Sequence, residues 1–311
     1  MRKLIRIGTR ESQLAAWQAT RVKELLATHG SASELVYITS EGDIDLKTPL
    51  YEMGVEGIFT RSLDVALLNS RIDIAVHSLK DVPTQLPKGI LQAAVLERGP
   101  ANDLLVFKNA DAMNKYSLLT AHTSFTIATS SIRRKAQWLN RYPGHLVENL
   151  RGNLNTRLKK LAEENWDAAL FAQAGLERIS LRPVNSVVLD WMLPAPAQGA
   201  IVVVCREDDP STFDCCSRFN NETDAFCTKI ERDFLRALLG GCSTPISALA
   251  IALNDQIHFK GNMLSPDGTL NVEIEKKMDC SAAADLGILA ARELLKNGGQ
   301  IITDKIRNGT K

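Results

Sequence analysis

The sequence predicts an α/β protein: two similar α/β domains facing one cleft, followed by a smaller α+β domain. Three observations predict it. Short apolar runs alternate with helix-period stretches through the first two hundred or so residues, the signature of strands wound with helices. Arg71-Ile72-Asp73-Ile74-Ala75-Val76 is echoed by Trp166-Asp167-Ala168-Ala169-Leu170-Phe171, each ahead of a polar loop, so one unit is present twice. Beyond Asp208-Asp209-Pro210 the order changes to one long helix, three strands and a closing helix.

In the first unit Leu4 to Ile7 is a strand, Gly8-Thr9-Arg10-Glu11-Ser12 a turn, and Gln13 to Thr28 a helix with Leu14, Gln18, Val22, Leu25 and Leu26 along one face. Glu34 to Thr39 is the next strand, and the glycine-punctuated stretch from Glu41 to Gly57 is a loop. Phe59, Leu63, Ala66 and Leu67 mark a helix. Ile72 to Val76 is a buried strand that ends in His77-Ser78-Leu79-Lys80-Asp81-Val82-Pro83, where Pro83 forbids a helix directly after Asp81. Polar residues at the carboxyl end of such a strand are where open α/β sheets hold ligands.

The second unit repeats the scheme. Thr126 to Ala128 is a strand, Thr129-Ser130-Ser131 a hydroxyl turn, and Ile132 to Asn140 a helix; Leu146 to Leu150 is a strand that leads through Arg151-Gly152-Asn153 to a helix carrying Leu154, Leu158 and Leu161. The apolar strand Ala200 to Cys205 has no helix of its own and returns to the first sheet. The predicted domains are therefore 1–99 with 200–218, then 100–199, then 219–311, and the chain crosses between the first two near 99–102 and 194–199, as a hinge needs. In the third domain a helix from Glu222 to Leu239 precedes strands at 247–253, 257–263 and 270–275 and a helix from Ala282 to Lys296.

With 311 residues and a formal net charge of +1, no overall field draws nucleic acid or an anionic membrane, and any anion site is built locally. The start, Met1-Arg2-Lys3-Leu4-Ile5-Arg6-Ile7, is too charged for a signal peptide, and no apolar run is as long as a membrane span. Six cysteines form neither a disulfide framework nor a zinc pattern, which points to a reducing cytoplasm. No P-loop, histidine cluster for metal or protease-type nucleophile–base pair is present.

Two features carry chemistry. Leu238-Leu239-Gly240-Gly241-Cys242-Ser243-Thr244-Pro245-Ile246 sets Cys242 on a glycine turn rather than in an apolar run, unlike Cys205, so it is a candidate reactive thiol more than a core residue. The turns Thr9-Arg10-Glu11-Ser12 and Thr129-Ser130-Ser131-Ile132-Arg133-Arg134 combine free backbone N–H groups, hydroxyls and guanidinium groups, which makes carboxylate or phosphate sites. With Arg151, Arg157 and Arg178 the cleft would hold six arginines, enough for a ligand with several carboxylates. Asp81 is the carboxylate placed to act on such a ligand. From spacing alone it is equally a turn residue accepting a local hydrogen bond.

These motifs in order, Gly-Thr-Arg-Glu-Ser at 8–12, Val-His-Ser-Leu-Lys-Asp-Val-Pro at 76–83, Thr-Ser-Ser-Ile-Arg-Arg at 129–134, Leu-Arg-Gly-Asn at 150–153 and Gly-Gly-Cys at 240–242, resemble the porphobilinogen deaminase (hydroxymethylbilane synthase) family from about Ile5 to the last helix. The resemblance implies a fold whose first two domains look like a two-lobed binding protein. It implies a dipyrromethane cofactor held through a thioether on Cys242 and contacted by Lys80, Thr129, Ser130, Arg133 and Arg134. Asp81 matches the catalytic aspartate that contacts pyrrole N–H groups, while Arg10, Ser12, Arg151, Arg157 and Arg178 match residues that bind the substrate's acid side chains, with Gln198 at the hinge.

The family joins four porphobilinogens and releases linear hydroxymethylbilane, expected to pass to uroporphyrinogen-III synthase in haem biosynthesis; a cytoplasmic monomer without metal, membrane or nucleic-acid partner is implied. One departure stands out. Where the family has Gly-Gly-Lys-Gly-Leu-Phe this chain has Gly54-Val55-Glu56-Gly57-Ile58-Phe59, and a second expected lysine is Glu52, so substrate binding is not assigned to this loop; it serves as a lid, or Arg61 supplies the charge, or the balance lies elsewhere in a variant subfamily. The rival from another class is a two-lobed solute-binding protein without catalysis, in which Cys242 would be dispensable.

Overall fold

The computed structural model describes residues 4–39, 60–117, 119–120, 124–238 and 244–309. The chain opens with β1 (Ile5–Thr9), α1 (Gln13–Thr28), β2 (Ser33–Tyr37), α2 (Arg61–Leu68), β3 (Ile74–Ser78) and β4 (Ile90–Val95). It continues with β5 (Asp103–Phe107), α3 (Ala110–Ser117), β6 (Thr126–Ala128), α4 (Ile132–Arg141), β7 (Leu146–Glu148), α5 (Leu154–Glu163), β8 (Ala168–Ala172), α6 (Gln173–Arg178) and β9 (Ser186–Leu189). Last come β10 (Ile201–Arg206), α7 (Pro210–Ser217), α8 (Glu222–Ala237), β11 (Ile246–Leu253), β12 (Gln256–Leu264), β13 (Asn271–Asp279), α9 (Leu286–Leu294) and α10 (Gln300–Gly309).

Two five-stranded sheets have the same plan, β2-β1-β3-β10-β4 and β7-β6-β8-β5-β9. In each, the first three strands run parallel and the fourth is antiparallel to both its neighbours. The strand predicted over 200–205 does lie in the first sheet, as β10, between β3 and β4. Its counterpart β5 enters the second sheet directly from the first lobe. Both are buried on two faces: Val203 and Cys205 pack with Ile7, Val22 and Leu26, while Val202 and Val204 pack with Leu63, Leu67 and Ile72. Strands covered on both sides read as continuous apolar runs, as these do.

The two crossings lie side by side, with Gly99 N donating to Gly199 O at 3.1 Å. Gly199 has φ +89°, and a Cβ there would meet Gly99 O at 2.5 Å, so only glycine fits this approach. The remaining sheet is antiparallel, β11-β12-β13, with α8 and α9 on one face; Ile230, Phe234, Ala250, Phe259, Ala290 and Leu294 form its core.

Several predicted elements shift. The strand expected at 72–76 is Ile74–Ser78, because Ile72 and Asp73 still belong to the turn that follows α2. The strands expected at 146–150 and 270–275 are Leu146–Glu148 and Asn271–Asp279. The single helix expected from Ala282 to Lys296 is instead a 3-10 segment, Cys280–Asp285, followed by α9 and, beyond a kink at Gly298 (φ 113°), by α10. Among the described residues no helix is long and apolar enough to cross a membrane.

Candidate functional site

Residues from the ends of both five-stranded sheets enclose a cavity of about 620 Å³. From the first lobe it receives Arg10 and Ser12, at the β1–α1 turn, and Lys80 and Asp81, on the 3-10 turn that follows β3. The second lobe supplies Ser130, Arg133 and Arg134 from the start of α4, Arg151 and Arg157 around the start of α5, and Arg178 at the end of α6. Gln198 comes from the second crossing. These positions follow from capping: Ser12, Ser131 and Asn153 each accept a backbone N–H as the helix begins, so the chain turns sharply just where it leaves a strand.

Seven of the described lining residues are Lys or Arg (10, 80, 133, 134, 151, 157 and 178), against two carboxylates, Glu11 and Asp81. Burial pushes Lys80 down to about 8, with Arg134 and Arg133 adding to the effect and Asp81 and Asp103 opposing it. Arg157 is lowered to about 10 by burial and by Arg134 and Arg151, and Arg178 to about 10 by burial. The site is therefore rich in positive charge held under strain from desolvation, and an incoming carboxylate relieves it.

Asp103 organises these cations. Its carboxylate accepts from Arg133 Nη2 at 2.7 Å, from Arg134 Nε and Nη2 at 3.1 and 2.8 Å, and from Gln198 Nε2 at 2.9 Å, with no solvent exposure. Burial alone would raise its pKa; the two guanidinium charges and the hydrogen bonds from Arg134 and Gln198 outweigh it and hold the carboxyl well below the usual range. Gln198 also accepts from Lys80 Nζ at 3.1 Å and donates to Ala101 O at 2.6 Å, so the turn bearing Asp81 is tied to both crossings.

Thr129 is buried at the same turn, and its hydroxyl accepts from Ser131 N at 3.2 Å, which leaves its O–H free to donate. Arg61 is exposed at the start of α2 and does not line the cavity. Cys242, Glu52, Glu56 and the rest of the 54–59 loop lie outside the described residues. On either side of Cys242, Leu235 and Thr244 do line the cavity.

Sequence reasoning missed Asp103, which lies behind the lining arginines, and two lining residues, Gln18 and His77. Gln18 Nε2 donates to Ser78 Oγ at 2.9 Å, joining α1 to the strand that carries the turn. His77 is buried, its Nε2 has no hydrogen-bond partner among the described residues, and burial together with the charge of Arg10 lowers it to about 4, so the imidazole is neutral at physiological pH. Across the cleft, Asn155 Nδ2 donates to Gln13 Oε1 at 3.0 Å and the Arg178 guanidinium lies 5.7 Å from the Trp17 ring centre, so the lobes touch.

Comparison with known proteins places this geometry. Residues 5–214 match the family described as "Porphobilinogen deaminase, dipyromethane cofactor binding domain", and residues 225–296 match "Porphobilinogen deaminase, C-terminal domain". The chain is 40% identical over 316 residues to the porphobilinogen deaminase of Chlorobium phaeobacteroides (strain BS1), covering 99% of each. Among solved structures it is similar to the VFT2 domain of BvgS from Bordetella pertussis, at 12% identity and a TM-score of 0.41 over 69% of this chain and 85% of that one. The protein described as the "probable amino-acid ABC transporter extracellular-binding protein ytmK from Bacillus subtilis" also scores 0.41, at 12% identity over 70% of this chain and 90% of that one.

Proposed function

The chain belongs to the porphobilinogen deaminase family, and from that premise we propose that it joins four porphobilinogens head to tail on a covalently held dipyrromethane, with Asp81 as the catalytic carboxylate and Cys242 as the anchor. The observation that carries the assignment of residues is the placing of Asp81 in a cavity lined by seven basic side chains. A non-catalytic solute-binding role, which two lobes alone would serve, gains no support from the family.

The residues fit the cofactor. Asp103, Leu193 O and Leu170 O engage only part of the donor forks of Arg133 and Arg134, and a guanidinium carries five N–H donors. Donors are thus left to hold the acid arms of a dipyrromethane together with Lys80, Thr129 and Ser130. When bound, this group supplies the nucleophilic pyrrole carbon at which growth occurs.

The protein's own part is electrostatic. Arg10, Ser12, Arg151, Arg157 and Arg178 grip the acetate and propionate of porphobilinogen; each charge-assisted contact contributes on the order of 1.5–3 kcal/mol. The Asp81 carboxylate accepts the substrate's pyrrole N–H and stabilises the cation that remains as ammonia leaves. Because Asp103 and Gln198 fix the neighbouring cations beforehand, little reorganisation is needed at that moment. Hydrolysis then releases linear hydroxymethylbilane.

The finer expectations rest on the family resemblance: a transferase acting as a cytoplasmic monomer, without nucleic-acid or membrane partners, that hands its product to uroporphyrinogen-III synthase. The three sheets support the domain division 1–99 with 200–218, 100–199 and 219–311. The test is intact mass. Protein as purified should exceed its sequence mass by two pyrrole units, and Cys242→Ser should not; an unmodified mass that stays unmodified after incubation with porphobilinogen would refute the reading. Asp81→Ala should lower turnover by roughly 10²–10⁴-fold, and near-parental turnover would mean that another carboxylate acts.

A further inference from the structure

The turn that presents Lys80 and Asp81 is three residues long. Its 3-10 segment, Leu79–Asp81, has the backbone bond Val82 N to Leu79 O at 3.2 Å, and Pro83 has no N–H with which to continue the turn. Further support comes from elsewhere in the chain. Arg232, on α8, donates from Nη1 to Leu79 O at 3.2 Å and to Val82 O at 2.9 Å, and from Nη2 to Pro83 O at 2.6 Å. One planar guanidinium thus spans the carbonyls on both sides of the Lys80–Asp81 pair, a geometry that a flexible ammonium does not reproduce.

The helix that carries Arg232 is itself fixed. The preceding residue, Glu231, is fully buried; it accepts from Arg98 Nη1 at 2.7 Å, from Ala197 N at 2.6 Å and from Ala250 N at 2.8 Å. Those partners lie at the two crossings and on β11. Two successive residues of α8 therefore hold the hinge and the Asp81 turn against one frame, and the same helix leads toward Cys242.

We propose that Arg232 is a positioning residue for the reaction, setting the Asp81 carboxylate at the place and angle that the chemistry requires. The inference rests on the assignment of Asp81 above and extends it to a residue that touches neither substrate nor cofactor. A displacement of about 1 Å in a catalytic group costs up to roughly 10²-fold in rate. Loss of the clamp is expected to act on turnover more than on binding.

The experiment is a double-mutant cycle on holoenzyme whose cofactor loading has been equalised by intact mass. Arg232→Gln should lower kcat by about 10–100-fold with KM changed by less than about threefold. In the Asp81→Asn background the same change should cost less than about threefold, since there is no longer a carboxylate to misplace. Amide exchange in the peptide spanning 79–86 should rise in Arg232→Gln. A parental kcat in Arg232→Gln, or equal losses in the two backgrounds, overturns the proposal and leaves Asp81 in place. A parental kcat in Asp81→Asn overturns the catalytic assignment itself. If Arg232→Gln does not fold, Arg232→Lys enters the same cycle and the same outcomes decide.

Discussion

Asp103 Oδ1 accepts from both Nε and Nη2 of Arg134, at 3.1 and 2.8 Å, wholly out of solvent. With Arg133 on the other oxygen, one buried anion holds two buried cations that line the cleft. Asp103→Ala removes the anion and leaves both cations uncompensated. The fold should lose about 3–5 kcal/mol, as when one partner of a buried pair is deleted. Urea unfolding checks this; a midpoint within error of the parent would show that the cations are neutralised in another way.

With the cavity empty, burial brings the Lys80 ammonium down to about 8. Its charge, and its grip on a carboxylate, is present below that pH and lost as pH rises through it. The rate at which cofactor-free protein takes up its dipyrromethane should therefore bend downward above about pH 8, and Lys80→Arg should shift the bend upward, because a guanidinium stays charged. An unchanged bend in Lys80→Arg would assign it to another group.

His77 binds its proton only near pH 4 when folded, against 6.5 as the reference for an unfolded chain. Between these values the unfolded state holds a proton that the folded state lacks, so stability falls as pH drops from about 6.5 to 4. The full difference is on the order of 3 kcal/mol. His77→Asn should flatten this part of the stability-against-pH curve, measured by denaturant midpoints from pH 4 to 7.

Gly199→Ala places a Cβ 2.5 Å from Gly99 O on a residue with φ +89°. Backbone strain of this kind costs roughly 1–3 kcal/mol, and the clash also pushes the crossings apart. Thermal unfolding should show a lower Tm, and turnover should fall more than stability explains if the crossings set the alignment of the lobes.

What was legible in the sequence had local causes. The helix Gln13–Thr28 was read to the residue because Ser12 caps it and an apolar stripe runs its length. Strands β4, β5 and β9 and helices α3, α6 and α7 have no such pair of local signals. In β5 all residues are buried, so there is no alternation to read, and the others are short. The double glycine at 298–299 was a stop signal that went unused, and the closing helix was drawn too simply.

In the site, the cation-rich turns announced themselves because hydroxyls and arginines sit within a few residues of each other. Asp103 did not. Its partners lie 30, 31 and 95 positions away, and a lone Asp before an apolar run reads as a surface residue. Arg232 reaches its carbonyls across 149 to 153 positions, and no local pattern records such a contact.

The exchange of β5 and β10 between the sheets sets an order on biosynthesis. The second sheet has every strand in hand once Leu189 has left the ribosome, whereas the first lacks an interior strand until Arg206 emerges. The half made later is thus the first able to close, and the half made earlier must wait, with the edges of β3 and β4 bare, for its missing piece to be delivered from beyond its neighbour.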